Sequence, residues 1–107
     1  MPSYLLQVSY STGTLAALIK KPQNRIAAVS KSIEKLGGKI EGGWLSFGDY
    51  DVVAILDMPD NVSAAALSVA LGAGGGCKGV KTTPLMSADE SVLAMKKAGT
   101  CGYKPAK

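Results

Sequence analysis

The chain has 107 residues, of which 47% are hydrophobic and 6% aromatic, and it has a formal net charge of +4 and no histidine. This length predicts a single domain with one core, and the missing histidine excludes imidazole metal sites and catalytic triads. The lysines are scattered and aromatic residues are few, so the positive charge indicates a solvated surface and no nucleic-acid interface.

The apolar segments are too short for a membrane protein. The start, MPSYLLQVSY, lacks the basic region and long apolar stretch of a secretory signal, and the longest apolar segment is VSAAALSVALGA. We therefore expect a cytoplasmic protein with no membrane role, in which Cys77 and Cys101 are reduced thiols. Neither cysteine stands in a metal-binding motif, and we expect no metal and no cofactor.

The first half of the chain predicts a strand followed by two helices. Residues 3–10 alternate between two faces, which is the period of a strand. The hydroxyls of STGT (residues 11–14) can cap a short helix, and Pro22 suits the first turn of a second one. The apolar stripe of this second helix recurs at steps of three and four, at Ile26, Val29, Ile33 and Leu36.

The second half predicts three strands and two more helices. The segments KIEGGWLS and YDVVAILD form a strand pair, and Asp60 caps a helix whose buried stripe is Val62, Ala66, Val69 and Ala73. A fourth strand covers CKGVKTTPLM, and SADE is a capping box that opens a last short helix. We expect one domain over residues 1–98 and a flexible tail over 99–107.

This order of elements predicts an α+β, ferredoxin-like βαββαβ fold with an extra C-terminal helix. The expected sheet is antiparallel and four-stranded, in the order 4-1-3-2. Both main helices cover one face of this sheet.

The hexapeptide SFGDYD, residues 46–51, predicts the hairpin between strands two and three. Gly48 and Asp49 suit a two-residue turn in which Phe47 faces Tyr50. The same register places Ser46 opposite Asp51, Leu45 opposite Val52 and Trp44 opposite Val53.

Four apolar side chains are expected on the sheet face that the helices leave uncovered: Ile40, Trp44, Val53 and Ile55. Burial of such side chains contributes about 1.5–3 kcal/mol each, so exposure to water would be costly. A second copy packed face to face explains the pattern. The alternative is that the last helix or the tail folds back over this face.

Polar residues are expected to gather where strand one ends and strand three begins: Ser9, Tyr10, Ser46 and Asp51, under a roof formed by Trp44. One interpretation is a small-ligand pocket in which Asp51 accepts a hydrogen bond or acts as a base. The alternative is that Asp51 only ties the hairpin to the loop after strand one, by accepting hydroxyl and backbone donors.

With this hairpin and strand order, the chain resembles the GYD domain family of small prokaryotic proteins. The signature is Gly48-Asp49-Tyr50-Asp51 before VVAIL, supported by KLGGKI, PDNVSAAAL and VKTTPL. The resemblance spans residues 3–97 and implies a dimeric α/β barrel, a homodimer that packs sheet to sheet. The family is functionally uncharacterised, so the resemblance implies no activity.

Three functions are compatible with these patterns. The first is a homodimeric module that binds a small molecule or a protein partner at the cleft end near Gly48–Asp51. The second is a cofactor-free enzyme, monooxygenase-like or isomerase-like, acting on a small cyclic or aromatic substrate with Asp51 as the base and Ser9, Tyr10 and Ser46 as orienting groups. The third is a purely structural oligomer. The sequence names neither a ligand nor a reaction.

Overall fold

Four antiparallel strands form a single sheet in the order β2-β3-β1-β4. The computed structural model describes residues 1–106. In chain order its elements are β1 (Ser3–Tyr10), α1 (Thr12–Lys20), α2 (Arg25–Lys35), β2 (Lys39–Leu45), β3 (Val52–Asp57), α3 (Asn61–Ala73), β4 (Cys77–Leu85) and α4 (Ala88–Ala98). The order is the predicted 4-1-3-2 read from the other edge, and it confirms the ferredoxin-like α+β fold.

Short polar side chains begin each helix. Ser11 accepts a hydrogen bond from the Thr14 amide, Asp60 accepts one from the Ser63 amide, and Ser87 and Glu90 form the predicted capping box. The predicted start of α2 at Pro22 is wrong. Asn24 caps that helix instead, because its side chain accepts from the Ala27 amide.

The core lies between the helices and one face of the sheet. That face carries alternate residues of the two central strands, from Tyr4 to Tyr10 in β1 and from Val52 to Leu56 in β3. The helices contribute Ile33, Ala64 and Leu67. The predicted stripe of α2 is confirmed, because Ile26, Val29 and Leu36 pack against the same cluster as Ile33.

The stripe predicted for α3 is wrong. Val62 and Val69 are exposed, whereas Ala64 and Leu67 are buried and Leu71 packs on the core. Because α3 is apolar on nearly every side, periodicity alone does not select the face that meets the sheet.

The hairpin register agrees with the prediction, but the turn does not. Leu45 pairs with Val52, Trp44 pairs with Val53, and the Ser46 amide donates to the Asp51 carbonyl over 2.8 Å. Phe47 and Tyr50 do not form the predicted pair, because residues 47–50 form a wider loop in which Phe47 is 98% exposed. Gly48 has a φ of 137°, which other residues rarely adopt.

The predicted position of Ile40 on the uncovered face is wrong, because β2 contains a β-bulge. Gly42 pairs with Ile55 and Ile40 with Leu56, so Glu41 is an extra residue in β2. Paired residues share a face, and Leu56 is buried on the helix side. Ile40 therefore packs against the core and not on the uncovered face, where Trp44, Val53 and Ile55 remain.

Helix α4 stands apart from the domain. All its residues are exposed except the half-buried Ser91, and it has only sparse contact with other elements. The radius of gyration is 17.0 Å, whereas a compact domain of this size has about 13 Å. Residues 99–106 are exposed and form no helix or strand. Neither they nor α4 covers the uncovered face of the sheet. The alternative that they fold back over it is therefore wrong for the single chain.

The predicted tail includes Lys107, which lies outside the described residues, and its flexibility stays a prediction. No helix in residues 1–106 combines the length and the hydropathy needed to cross a bilayer.

Candidate functional site

Polar residues predicted at the cleft end form hydrogen bonds between the end of β1 and the hairpin loop. The Asp51 carboxylate accepts the Tyr10 amide over 2.8 Å, and the Asp51 amide donates to the Val8 carbonyl over 2.8 Å. The Ser9 hydroxyl donates to the Asp49 carbonyl over 2.7 Å. These bonds fasten the hairpin loop to the end of β1, which is the structural role weighed for Asp51 against a ligand-binding one.

Two other members of the predicted cluster, Ser46 and Trp44, make their contacts within β2 and the hairpin. The Ser46 hydroxyl donates to the Tyr50 carbonyl over 2.7 Å within the hairpin. Trp44 is 57% exposed, and its ring lies over Gly42, on the side away from the turn. Trp44 therefore does not roof Asp51, and the structure does not bring the five predicted residues together around a ligand.

A cavity of about 630 Å³ lies on the other side of the sheet, between β1 and β3 below and α1 and α2 above. Its floor consists of buried side chains of the two strands, among them Leu6, Val8 and Ala54, and the buried Ile33 lines the cavity from α2. Its rim consists of exposed residues of α1, of α3 and of the loops that follow these two helices: Gly13, Ala17, Gln23, Ala70, Gly74 and Gly75. The volume falls within the range of about 300–1,000 Å³ that is typical of small-molecule sites.

Three functional side chains line this cavity: Tyr10, Arg25 and Cys77. Tyr10 is the last residue of β1, Arg25 begins α2, and Cys77 begins β4, so three separate elements converge here. The Arg25 guanidinium donates to the Gln23 side chain over 3.1 Å. Within residues 1–106 the single ion pair joins Lys39 to Glu41, so no carboxylate described there neutralises Arg25 in a salt bridge.

The two acidic groups of the cavity are protonated at neutral pH, because the ordinary pKa values of a phenol and a thiol lie above about 7 and burial raises both further. Burial raises the pKa of the Tyr10 phenol, although the nearby Arg25 guanidinium acts in the opposite direction. It likewise raises the pKa of the Cys77 thiol, again against the influence of Arg25. The cavity thus offers one cation, a neutral phenol and a neutral thiol above an apolar floor.

Of the five predicted ligand-binding residues, only Tyr10 lines this cavity, and Ile40, which was predicted for the interface, lines it as well. Arg25 and Cys77 were missed as site residues, because they are distant in sequence and follow no motif. One signal was present: Arg25 is the only arginine among twelve basic residues. Arginine is favoured over lysine where a planar anion must be held near apolar groups.

An antiparallel sheet in this strand order, with two helices packed on one side, defines a ferredoxin-like α+β protein. The solved structure of FFRP-DM1 is similar, with a TM-score of 0.55 and 9% identity over 80% of this chain and 100% of that chain. At this identity the likeness shows the fold alone. The chain belongs to the GYD domain family, whose model matches residues 4–95. No curated protein matches it.

Proposed function

We propose that this protein is a small-molecule-binding module whose ligand occupies the cavity between the helices and the sheet. The observation that carries the proposal is the combination of an apolar floor with three convergent functional groups, Tyr10, Arg25 and Cys77. A pocket that is mostly apolar, with a few placed polar groups, is the usual form of a ligand site.

Binding is favoured over chemistry because the cavity has no evident base. The pKa values of Tyr10 and Cys77 are raised, so both groups donate hydrogen bonds at neutral pH. Asp51, the base of the enzyme hypothesis, does not line the cavity and already accepts the Tyr10 amide. The enzyme hypothesis thus lacks the group on which it depended.

Two neighbouring alanines of α1 allow a matched test. Ala17 lines the cavity and Ala16 does not, and both are exposed. We expect Ala17→Phe to fill the space over the floor and to weaken binding of the neutral fluorescent probe N-phenyl-1-naphthylamine at least about tenfold. Ala16→Phe should bind the probe as the wild type does. Binding that is unsaturable, or equal in both variants, would place the probe elsewhere and contradict the proposal.

We further propose that the module acts as a homodimer that packs through the uncovered sheet face. Val53 and Ile55 are half-buried there beside Leu5, and Trp44 is exposed. Contiguous apolar surface that the chain's own elements leave open is typical of interaction sites. A second copy would bury this surface and agrees with the sheet-to-sheet packing that the family resemblance implies. A purely structural oligomer would share this interface but leave the cavity without a ligand.

The dimer is tested by the same substitution at two sites. Val53→Lys places a charge on the uncovered face, whereas Val69→Lys places it on the exposed side of α3. We expect sedimentation equilibrium to give two chains for the wild type and for Val69→Lys, and one chain for Val53→Lys, because a buried unpaired charge is costly. Trp44→Lys places a charge on the same face but in the edge strand β2. It should also give one chain, and this result would show that the monomer does not arise from misfolding of β3. A monomeric wild type at micromolar concentration would refute the interface.

A further inference from the structure

We infer that the ligand of the cavity is an amphipathic monoanion, a carboxylate attached to an apolar body, with the carboxylate paired to Arg25. This inference rests on the proposed function and names its ligand class.

The charge of the site is carried by a single group. Of the residues that the structure describes, Arg25 is the only charged side chain that lines the cavity. Within residues 1–106 it forms no salt bridge, and its guanidinium donates to the neutral amide oxygen of Gln23 and lies beside the neutral Tyr10 phenol. A half-buried guanidinium retains donors that a planar carboxylate can accept in a bidentate manner.

The neighbouring groups favour the same charge. The protonated Tyr10 phenol and Cys77 thiol can donate hydrogen bonds to an anion, and neither carries the negative charge that would pair with a cation. The N-terminal turn of α1, with Ser11 and Gly13, lies at the same cavity and has positive partial charge, although a helix terminus alone would not define a site.

The rest of the ligand must be apolar. The side chains that line the cavity around Arg25 are largely aliphatic: Leu6, Val8 and Val52 on the sheet, and Val29 and Ile33 on α2. A highly polar anion, such as a sugar phosphate, would leave its hydroxyl groups without partners against these side chains, and that is costly. A hydrocarbon chain or ring would bury well there.

The test compares three ten-carbon molecules that differ in charge. Decanoate, 1-decanol and decylamine are titrated at pH 7.5 against the protein loaded with N-phenyl-1-naphthylamine, with the two ions below their micellar concentrations and 1-decanol below its solubility limit. We expect decanoate to displace the probe from the wild type about tenfold to a hundredfold more effectively than the other two molecules, because a charged hydrogen bond contributes this much.

Two charge-removing variants of α2 make the comparison specific. In Arg25→Gln, decanoate should displace the probe no better than 1-decanol does. Arg25→Lys should keep part of the preference for decanoate. Lys31→Gln removes the same charge at an exposed position that does not line the cavity, and it should behave as the wild type.

The outcomes separate this inference from the function on which it rests. Saturable probe binding with equal displacement by decanoate and 1-decanol would overturn the anion class and leave the binding module standing. A preference for decanoate that survives in Arg25→Gln would also overturn it. If the probe does not bind at all, the proposed function fails, and the ligand class fails with it.

Discussion

Replacement of Gly38 by alanine should destabilise the protein by about 3 kcal/mol. Gly38 lies between the end of α2 and the start of β2, and a Cβ there would approach the Asp57 carbonyl oxygen to 2.5 Å and contact the Met58 sulfur. Met58 and Ile33, the third neighbour, are both fully buried, so these side chains have no open space into which they could move. The backbone carbonyl cannot move without disturbing the end of β3.

Urea unfolding at one fixed protein concentration measures this effect, since association would make stability depend on concentration. The matched control is Gly79→Ala in β4, where a Cβ meets no atom within 4 Å. That variant should equal the wild type or exceed it slightly, because alanine restricts the unfolded chain more than glycine does. A Gly38→Ala protein within about 0.5 kcal/mol of the wild type would contradict the close approach of the Gly38 backbone to the end of β3.

Replacement of Asp51 by alanine should cost about 1.5–3 kcal/mol, because the amide of the buried residue Tyr10 would lose a charged acceptor. Asp51→Asn retains an oxygen that can accept this bond and should cost less. The backbone bonds of Asp51 to Val8 and Ser46 persist in both variants, so the fold should survive.

Asp49 provides the control for this prediction within the same loop. Its carbonyl accepts the Ser9 hydroxyl, whereas its exposed carboxylate makes no hydrogen bond within the described residues. Asp49→Ala should therefore leave the urea midpoint nearly unchanged. Equal losses in Asp49→Ala and Asp51→Ala would indicate a general effect of charge in the loop and would rule out the specific bond between Asp51 and Tyr10. If Asp51→Ala were as stable as the wild type, the structural role of Asp51 would be contradicted and the ligand-binding role would be favoured.

The features that sequence predicts well are those encoded over a few neighbouring residues. The alternation of residues 3–10, the caps at Asp60 and Ser87, and the pairing of Trp44 with Val53 all depend on local chemistry. Together with the Gly-x-Tyr-Asp turn, they suffice for the strand order and the family.

The failures arise where the outcome depends on distant packing. Nothing local to α3 distinguishes Val62 from Ala64, because the face that turns inward is chosen by the sheet beneath it. The wider hairpin loop follows from the bonds that β1 makes to Asp49 and Asp51. The cavity is harder still to foresee, since it is the space left between α1, α2 and the sheet, and Arg25 reaches it only through the tertiary fold.

Because of the bulge at Glu41, the apolar side chains of the edge strand β2 lie on opposite faces of the sheet before and after it. Before it, Ile40 packs with the core beside the cavity; after it, Trp44 lies on the uncovered face. The one extra residue is exposed and leaves the pairing on both sides intact. In the central strands β1 and β3, a one-residue insertion would exchange the two sets of side chains. Length changes during evolution should therefore be tolerated in β2 far more readily than in its central neighbours.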